Sequence, residues 1–202
     1  MIEKTRQIFD TQQAHVLVCG SGRVMIALND GHMKTTVQVP VAMNDDGTME
    51  YENREKTQYA YDVYWLSLPT TAPHDAAAVL SAAKTSMLSE ITAYDSSSSV
   101  NSFLLNGMEV WLDKATRVGL MNSTTIAKSM GQEKTTLWLG SYQLEVECDK
   151  AIQLLSALEM YALECFNVTA AHKKEVSELD NIEGVLTYDY KSGYPDKLKM
   201  EV

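Results

Sequence analysis

The chain has 202 residues, of which 45% are hydrophobic and 22% charged, and carries a formal charge of −10. It is long enough and apolar enough to bury a sizeable core, which excludes disorder for most of its length. The negative balance, with no basic stripe interleaved with aromatics, excludes a nucleic-acid partner, whose affinity comes mainly from clustered Lys and Arg.

The opening run, Met1 to Gln13, mixes charged side chains with few apolar ones and does not read as a signal peptide. No apolar stretch approaches the ~18–20 residues of a membrane-spanning helix, so no membrane partner is expected. Cys19, Cys148 and Cys165 are odd in number and lack C-x-x-C spacing. They read as free thiols of a chain that is cytoplasmic when synthesised.

The residues up to about Pro69 read as strands. His15–Cys19 and Arg23–Leu28 are short apolar runs separated by Gly20-Ser21-Gly22, the pattern of a tight hairpin. Asn29-Asp30-Gly31 reads as a second turn, and Asn44-Asp45-Asp46-Gly47 as a third. Between them, Lys34–Met43 alternates Val37, Val39 and Val41 with polar residues, a half-buried strand; Pro40 places it at an edge or a bulge. Tyr59–Leu68 reads as the longest strand, with Tyr59, Tyr61, Val63 and Trp65 on one face. Pro69 and Pro73 stiffen the connection that follows, so the boundary between a β-rich domain over 1–69 and a second domain over 74–202 is placed there.

The second domain alternates helices with hairpins. Leu80, Ala83, Met87, Ile91 and Tyr94 recur at helical spacing, and Ser96–Ser99 ends that helix. Asn106-Gly107 centres a hairpin; Asp113 reads as the N-cap of a helix carrying Val118 and Met121, with Gly131 as its stop. A second hairpin turns through Gly140-Ser141. Asp149 then reads as the cap of a mostly buried helix with Ile152, Leu155, Leu158, Ala162 and Cys165 on one face, widened by Leu154, Tyr161 and Phe166. A separate, more polar helix is expected from Asn167 or Thr169 to Leu179, then an irregular loop over Tyr188–Pro195. The expected class is α+β: a small antiparallel β-rich part followed by helices and two hairpins.

No arrangement meets the demands of catalysis, a cofactor or a metal. Gly20-Ser21-Gly22 lacks the third glycine and the following helix of a dinucleotide loop, with Met25 in the third position. Asp45-Asp46-Gly47 fails as a calcium loop, because the register puts Ala42 first and Asn53 twelfth. No base-oriented nucleophile is recognisable. His172 and Glu175 share a helix face without an obvious third ligand, and Glu159 and Glu164 are too far around their helix to act as a pair. Trp111 and Trp138 read as hairpin core. The residues singled out for an interaction surface are Tyr188, Tyr190 and Tyr194 in the C-terminal loop, with Tyr59 and Tyr61. A carbohydrate- or small-ligand-binding face on Tyr59, Tyr61 and Trp65 is the alternative.

Several segments agree in order with one family: Ser81-Ala82-Ala83-Lys84, Asp95–Phe103, Trp111–Arg117, Thr135–Trp138, Leu158–Ala162, Thr169–His172 and Gly193–Leu198. Over about Ala77 to Leu198 the chain resembles a domain of unknown function found in tail-region proteins of phages and in prophages of gut bacteria. The family has no established catalytic residues, so the resemblance implies a setting and no site. That setting is a non-enzymatic interaction protein of a phage tail or its assembly, with other tail or virion proteins, or itself, as partner. It implies a chain that is incorporated in a virion or serves its assembly.

Overall fold

The structure, a computed structural model, describes residues 2–20, 22–69 and 75–202. Ser21 of the expected first turn, and residues 70–74 at the expected domain boundary, including Pro73 and His74, lie outside the described residues. Helix makes up 37% and strand 36% of the chain, and an antiparallel sheet precedes the helices, so the fold is α+β. Contacts divide the chain into two compact units, Met1–Met87 with Leu179–Thr187, and Leu88–Glu178 with Tyr188–Val202.

The first unit is built on four antiparallel strands, β1 (Glu3–Phe9), β2 (Val16–Val18), β3 (Arg23–Met43) and β4 (Met49–Ser67), in the order β1-β4-β3-β2. β1 was not expected. Its charged residues, Glu3, Lys4 and Arg6, suit an edge strand, where charge discourages further pairing. β3, at 21 residues, is longer than the 19-residue β4 that contains the run expected to be longest.

Asn29-Asp30-Gly31 is not a turn. The register of β3 on β4 slips by one residue between Leu28↔Asp62 and Gly31↔Ala60, a β-bulge, and the strand runs on. Asn29 takes φ 54°, which Asn tolerates better than most residues, so the same local signal serves a bulge as well as a turn. An ionic knot fixes the bulge: Asp62 accepts from Asn29 Nδ2 at 2.8 Å and from Arg6 Nη1 at 3.0 Å, and Lys4 Nζ lies 3.4 Å away. Pro40 sits at a second slip, as expected, because it has no N–H to offer the ladder. The Asn44–Gly47 turn also forms, with Gly47 at φ 84°.

α1 (Ala76–Asp95) starts with Ala78 N–H donating to the Asp75 side chain at 2.8 Å. Val79, Ala83, Met87 and Ile91, spaced by four, form its buried stripe.

The second unit starts from the Asn106-Gly107 hairpin. β5 (Phe103–Leu105) and β6 (Met108–Val110) flank Asn106 at φ 48° and Gly107 at φ 80°, the positive pair of a type I′ turn. Asp113 caps α2 (Lys114–Ser129) by accepting from Thr116 N–H at 2.9 Å, and Gly131, at φ 81°, follows its end. Val118 is exposed, however. The inward positions are Arg117 and Thr124, with Leu120 and Met121 half-buried.

β7 (Lys134–Leu139) and β8 (Tyr142–Glu147) pair through the Gly140-Ser141 turn. α3 (Cys148–Glu178) then runs unbroken for 31 residues, so no second helix starts at Asn167 or Thr169. Thr169 is buried, and its hydroxyl donates to Asp95 at 2.9 Å, so tertiary bonding outweighs the weak helix propensity of this stretch. Asp149 lies inside the first turn of α3 rather than capping it, and its carboxylate pairs with Lys128. Phe166 points outward and does not widen the core face.

α4 (Ile182–Leu186), capped by Asn181, follows and belongs to the first unit. β9 (Lys199–Met200) closes the chain by pairing parallel to β5. The core of the second unit gathers Phe103 and Leu105, Leu137 and Val146 from the second hairpin, and Leu155 and Leu158 from α3.

Candidate functional site

Four places in the molecule bear on function, and they differ in kind. The aromatic strand face is largely core. Tyr61 is 4% exposed and packs with Met25, Ala27 and Val63, while Tyr59 and Trp65 are half-buried at the margins of that cluster. Phe9 meets Tyr61 edge-on with centroids 6.0 Å apart, and the Arg23 guanidinium covers the Trp65 ring at 4.7 Å. Tyr61 also accepts a hydrogen bond from Gln13 N–H at 3.2 Å. A flat platform needs rings open to a ligand, and this face does not present Tyr59, Tyr61 and Trp65 that way.

The loop tyrosines are half-buried and hold the C-terminal loop in place. Tyr190 and Tyr194 pack edge-on against Tyr94, at 5.6 and 5.7 Å. Tyr188 donates to Glu175 Oε2 at 2.5 Å and lies 2.7 Å from His172 Nδ1, while His172 Nε2 meets the Ser192 carbonyl at 3.0 Å. Burial, then the Glu175 carboxylate, pushes the Tyr188 hydroxyl well above the usual phenol range. His172 and Glu175 do share a face, but both are committed to fastening the loop. No group of three or more His, Cys, Asp or Glu side chains able to hold a metal occurs among the described residues.

The cysteines are free. Cys148 and Cys165 are buried, and burial raises the Cys165 thiol above its ordinary range. Burial likewise pushes its neighbour Tyr161 up to about 12.

The third place is a ribbon. β1 pairs with β4 only over Tyr59–Trp65, and β2 pairs with β3 only over Val24–Ile26. Beyond His32↔Tyr59, the last pair flanked by β1, no third strand among the described residues pairs with the hairpin, which continues as a two-stranded arm turning at Asn44–Gly47. Eleven residues of β3 lie in it, from Met33 to Met43, a reach of roughly 35 Å at ~3.3 Å per residue. Directly opposed residues share a face, so Val37 faces Arg54 and Val39 faces Glu52. That face holds two half-buried valines among charges of both signs, and Arg54 reaches Glu52 at 3.2 Å. On the other face Lys34 pairs with Glu55 at 3.0 Å.

The fourth is a cleft of about 520 Å³ within the second unit, lined among others by Asp95, Trp111, Arg117, Glu159, Leu163 and Phe166. Arg117 is 6% exposed; its Nε donates to Glu159 Oε1 at 2.8 Å and its Nη1 to the Leu112 carbonyl at 2.8 Å. Trp111, Leu163 and Phe166 are exposed at 38%, 48% and 58%. Sequence reading treats Trp111 as hairpin core and passes over Arg117, because its partner Glu159 lies 42 residues further along the chain.

Comparison with protein-family models, with curated proteins and with solved structures gives no match. Among the described residues no helix is long and apolar enough to cross a membrane.

Proposed function

We propose that this chain is a non-enzymatic structural or assembly protein of a phage or prophage tail, and that it associates with a second copy of itself through the β3–β4 ribbon. The phage setting rests on the resemblance of residues 77–198. The observation that carries the mode of action is the uncovered arm. A lone two-stranded ribbon is marginally stable in water and gains from a partner along its length.

The Val37–Val39 face suits its own copy. It has an apolar centre with Arg54 and Glu52 beside it, so a two-fold antiparallel arrangement sets Arg54 of one copy against Glu52 of the other. The C-terminal tyrosines are committed to internal packing, which leaves the sheet region as the better contact.

Light scattering over a concentration series tests this. The wild type dimerises or assembles further, Arg54→Glu returns it to monomer by setting acid against acid, and Glu52→Arg with Arg54→Glu restores association. A wild type that stays monomeric at every concentration, or an Arg54→Glu variant that associates equally well, would overturn the contact. Absence of the protein from both purified virions and tail-assembly intermediates would overturn the setting.

A further inference from the structure

We propose that the cleft of the second unit is a binding site for a neutral saccharide. At about 520 Å³ it lies within the ~300–1,000 Å³ typical of small-ligand sites. Its polar floor and apolar lip together narrow the chemistry of the ligand.

The floor offers one unused donor. Arg117 has its Nε on Glu159 and its Nη1 on the Leu112 carbonyl, while Nη2 makes no hydrogen bond to the described residues. Arg117 lines the cleft, so that nitrogen is a donor available to a ligand acceptor. Beside it stand open acceptors. Glu159 and Asp95 line the same cleft; Glu159 uses Oε1 on Arg117 and Asp95 uses Oδ1 on Thr169, so each keeps a carboxylate oxygen with no hydrogen bond to the described residues. A ligand hydroxyl meets both demands, accepting from Nη2 while donating to a carboxylate oxygen. An ammonium cannot accept, and an ether or carbonyl cannot donate.

Charge decides between neutral and anionic ligands. The lining holds three carboxylates, Asp95, Asp113 and Glu159, against two cations, Lys114 and Arg117, a balance of −1. Arg117 is already neutralised by Glu159 at 2.8 Å, so a ligand carboxylate or phosphate would meet uncompensated acid.

The lip supplies the remaining criterion. Exposed aromatic rings beside polar groups suit a ligand with an apolar C–H face next to its hydroxyls. Trp111 and Phe166, both exposed, line the cleft with Leu163. Vicinal hydroxyls beside a C–H face are the chemistry of a pyranose ring. The site is independent of the ribbon, so each proposal stands or falls alone.

Titration of the full-length protein with lactose, maltose, cellobiose and N,N′-diacetylchitobiose at millimolar concentrations, followed by ¹H–¹⁵N NMR of Trp side chains and Arg Nε–H groups, tests the site. At least one sugar is expected to shift the Trp111 and Arg117 signals together while leaving Trp65 unmoved. Trp111→Ala and Phe166→Ala, both at exposed positions that spare the fold, are each expected to weaken that sugar about tenfold, ~1.4 kcal/mol. No shift with any of the four sugars, shifts that persist unchanged in both variants, or tighter binding of glucuronic acid than of the neutral sugars would each overturn the proposal.

Discussion

The two halves of the β3–β4 hairpin share strands and antiparallel pairing, yet one is core and the other is surface. From Val24 to Leu28 every residue of β3 is buried, and across from them Val63, Tyr64 and Leu66 are buried too. From Gly31 onward, no β3 residue is more than half-buried. Strand propensity does not separate them, since VQVPVA is as β-prone as VMIAL. The difference lies in neighbours: β1 and β2 end where burial ends. A strand becomes core through what pairs beside it and packs on it, and among the described residues no third strand pairs with the arm.

The largest expected effect comes from cutting matched side chains out of the two halves. Leu66→Ala, at a position 1% exposed, should cost about 2–5 kcal/mol in urea unfolding, the usual range for a buried Leu. Val41→Ala, at a position 45% exposed and measured at a concentration where the chain is monomeric, should stay within about 0.5 kcal/mol, as exposed positions do. Equal losses at the two sites would erase the distinction between base and arm.

A smaller effect belongs to the bulge where the halves meet. The Asn29 amide, then Arg6 and Lys4, hold the Asp62 carboxyl below the usual carboxylate range against the opposing effect of its partial burial. The folded chain therefore binds that proton less readily than the unfolded chain. The stabilisation is full above the unfolded pKa of about 4 and is lost as pH falls through the lowered folded value. Asp62→Asn should lower stability at pH 7 by about 1 kcal/mol, because the knot is partly open to water. Its acid unfolding curve should also be shallower than that of the wild type. An unchanged acid limb would mean that the knot does not secure the junction.

Much of the fold was legible where local chemistry is decisive. Asn106-Gly107 fixed its hairpin, Asp113 its cap and Pro40 its bulge, because each acts through its own backbone or through a neighbour within three residues. Misreadings arose where distant partners choose. Asn29-Asp30-Gly31 carries the same chemistry for a turn or a bulge, and only the ladder with Ala60 and Asp62 decides. Asn167 and Thr169 look like a helix boundary until Asp95, 74 residues away from Thr169, takes the Thr169 hydroxyl. The cleft was illegible for the same reason. Its Arg117–Glu159 floor joins two helices, and its lip residues, Trp111, Leu163 and Phe166, look like core by type alone.

The smallest expected effect tests whether the arm behaves as a separate cooperative element. Gly47 at the tip has φ 84°, and Gly107 in the embedded hairpin has φ 80°, so alanine strains both backbones by about 1 kcal/mol or a little more. A Cβ at either position meets nothing within 4 Å, so backbone strain is the only direct cost. At Gly107 the strain should appear in global unfolding, because β5 carries Phe103 and Leu105 into the core. At Gly47 it should not, because the tip can open without disturbing Val24–Leu28. Hydrogen exchange reads the difference directly. In Gly47→Ala, the Asn44 and Gly47 amides, which bond to Thr48 and Asn44 across the tip, should exchange roughly fivefold faster, the equivalent of ~1 kcal/mol. The Ile26 and Val63 amides, where the same strands lie in the base, should not change. If they quicken as well, the hairpin opens as one unit, and the arm is an extension of the base rather than a free element available for assembly.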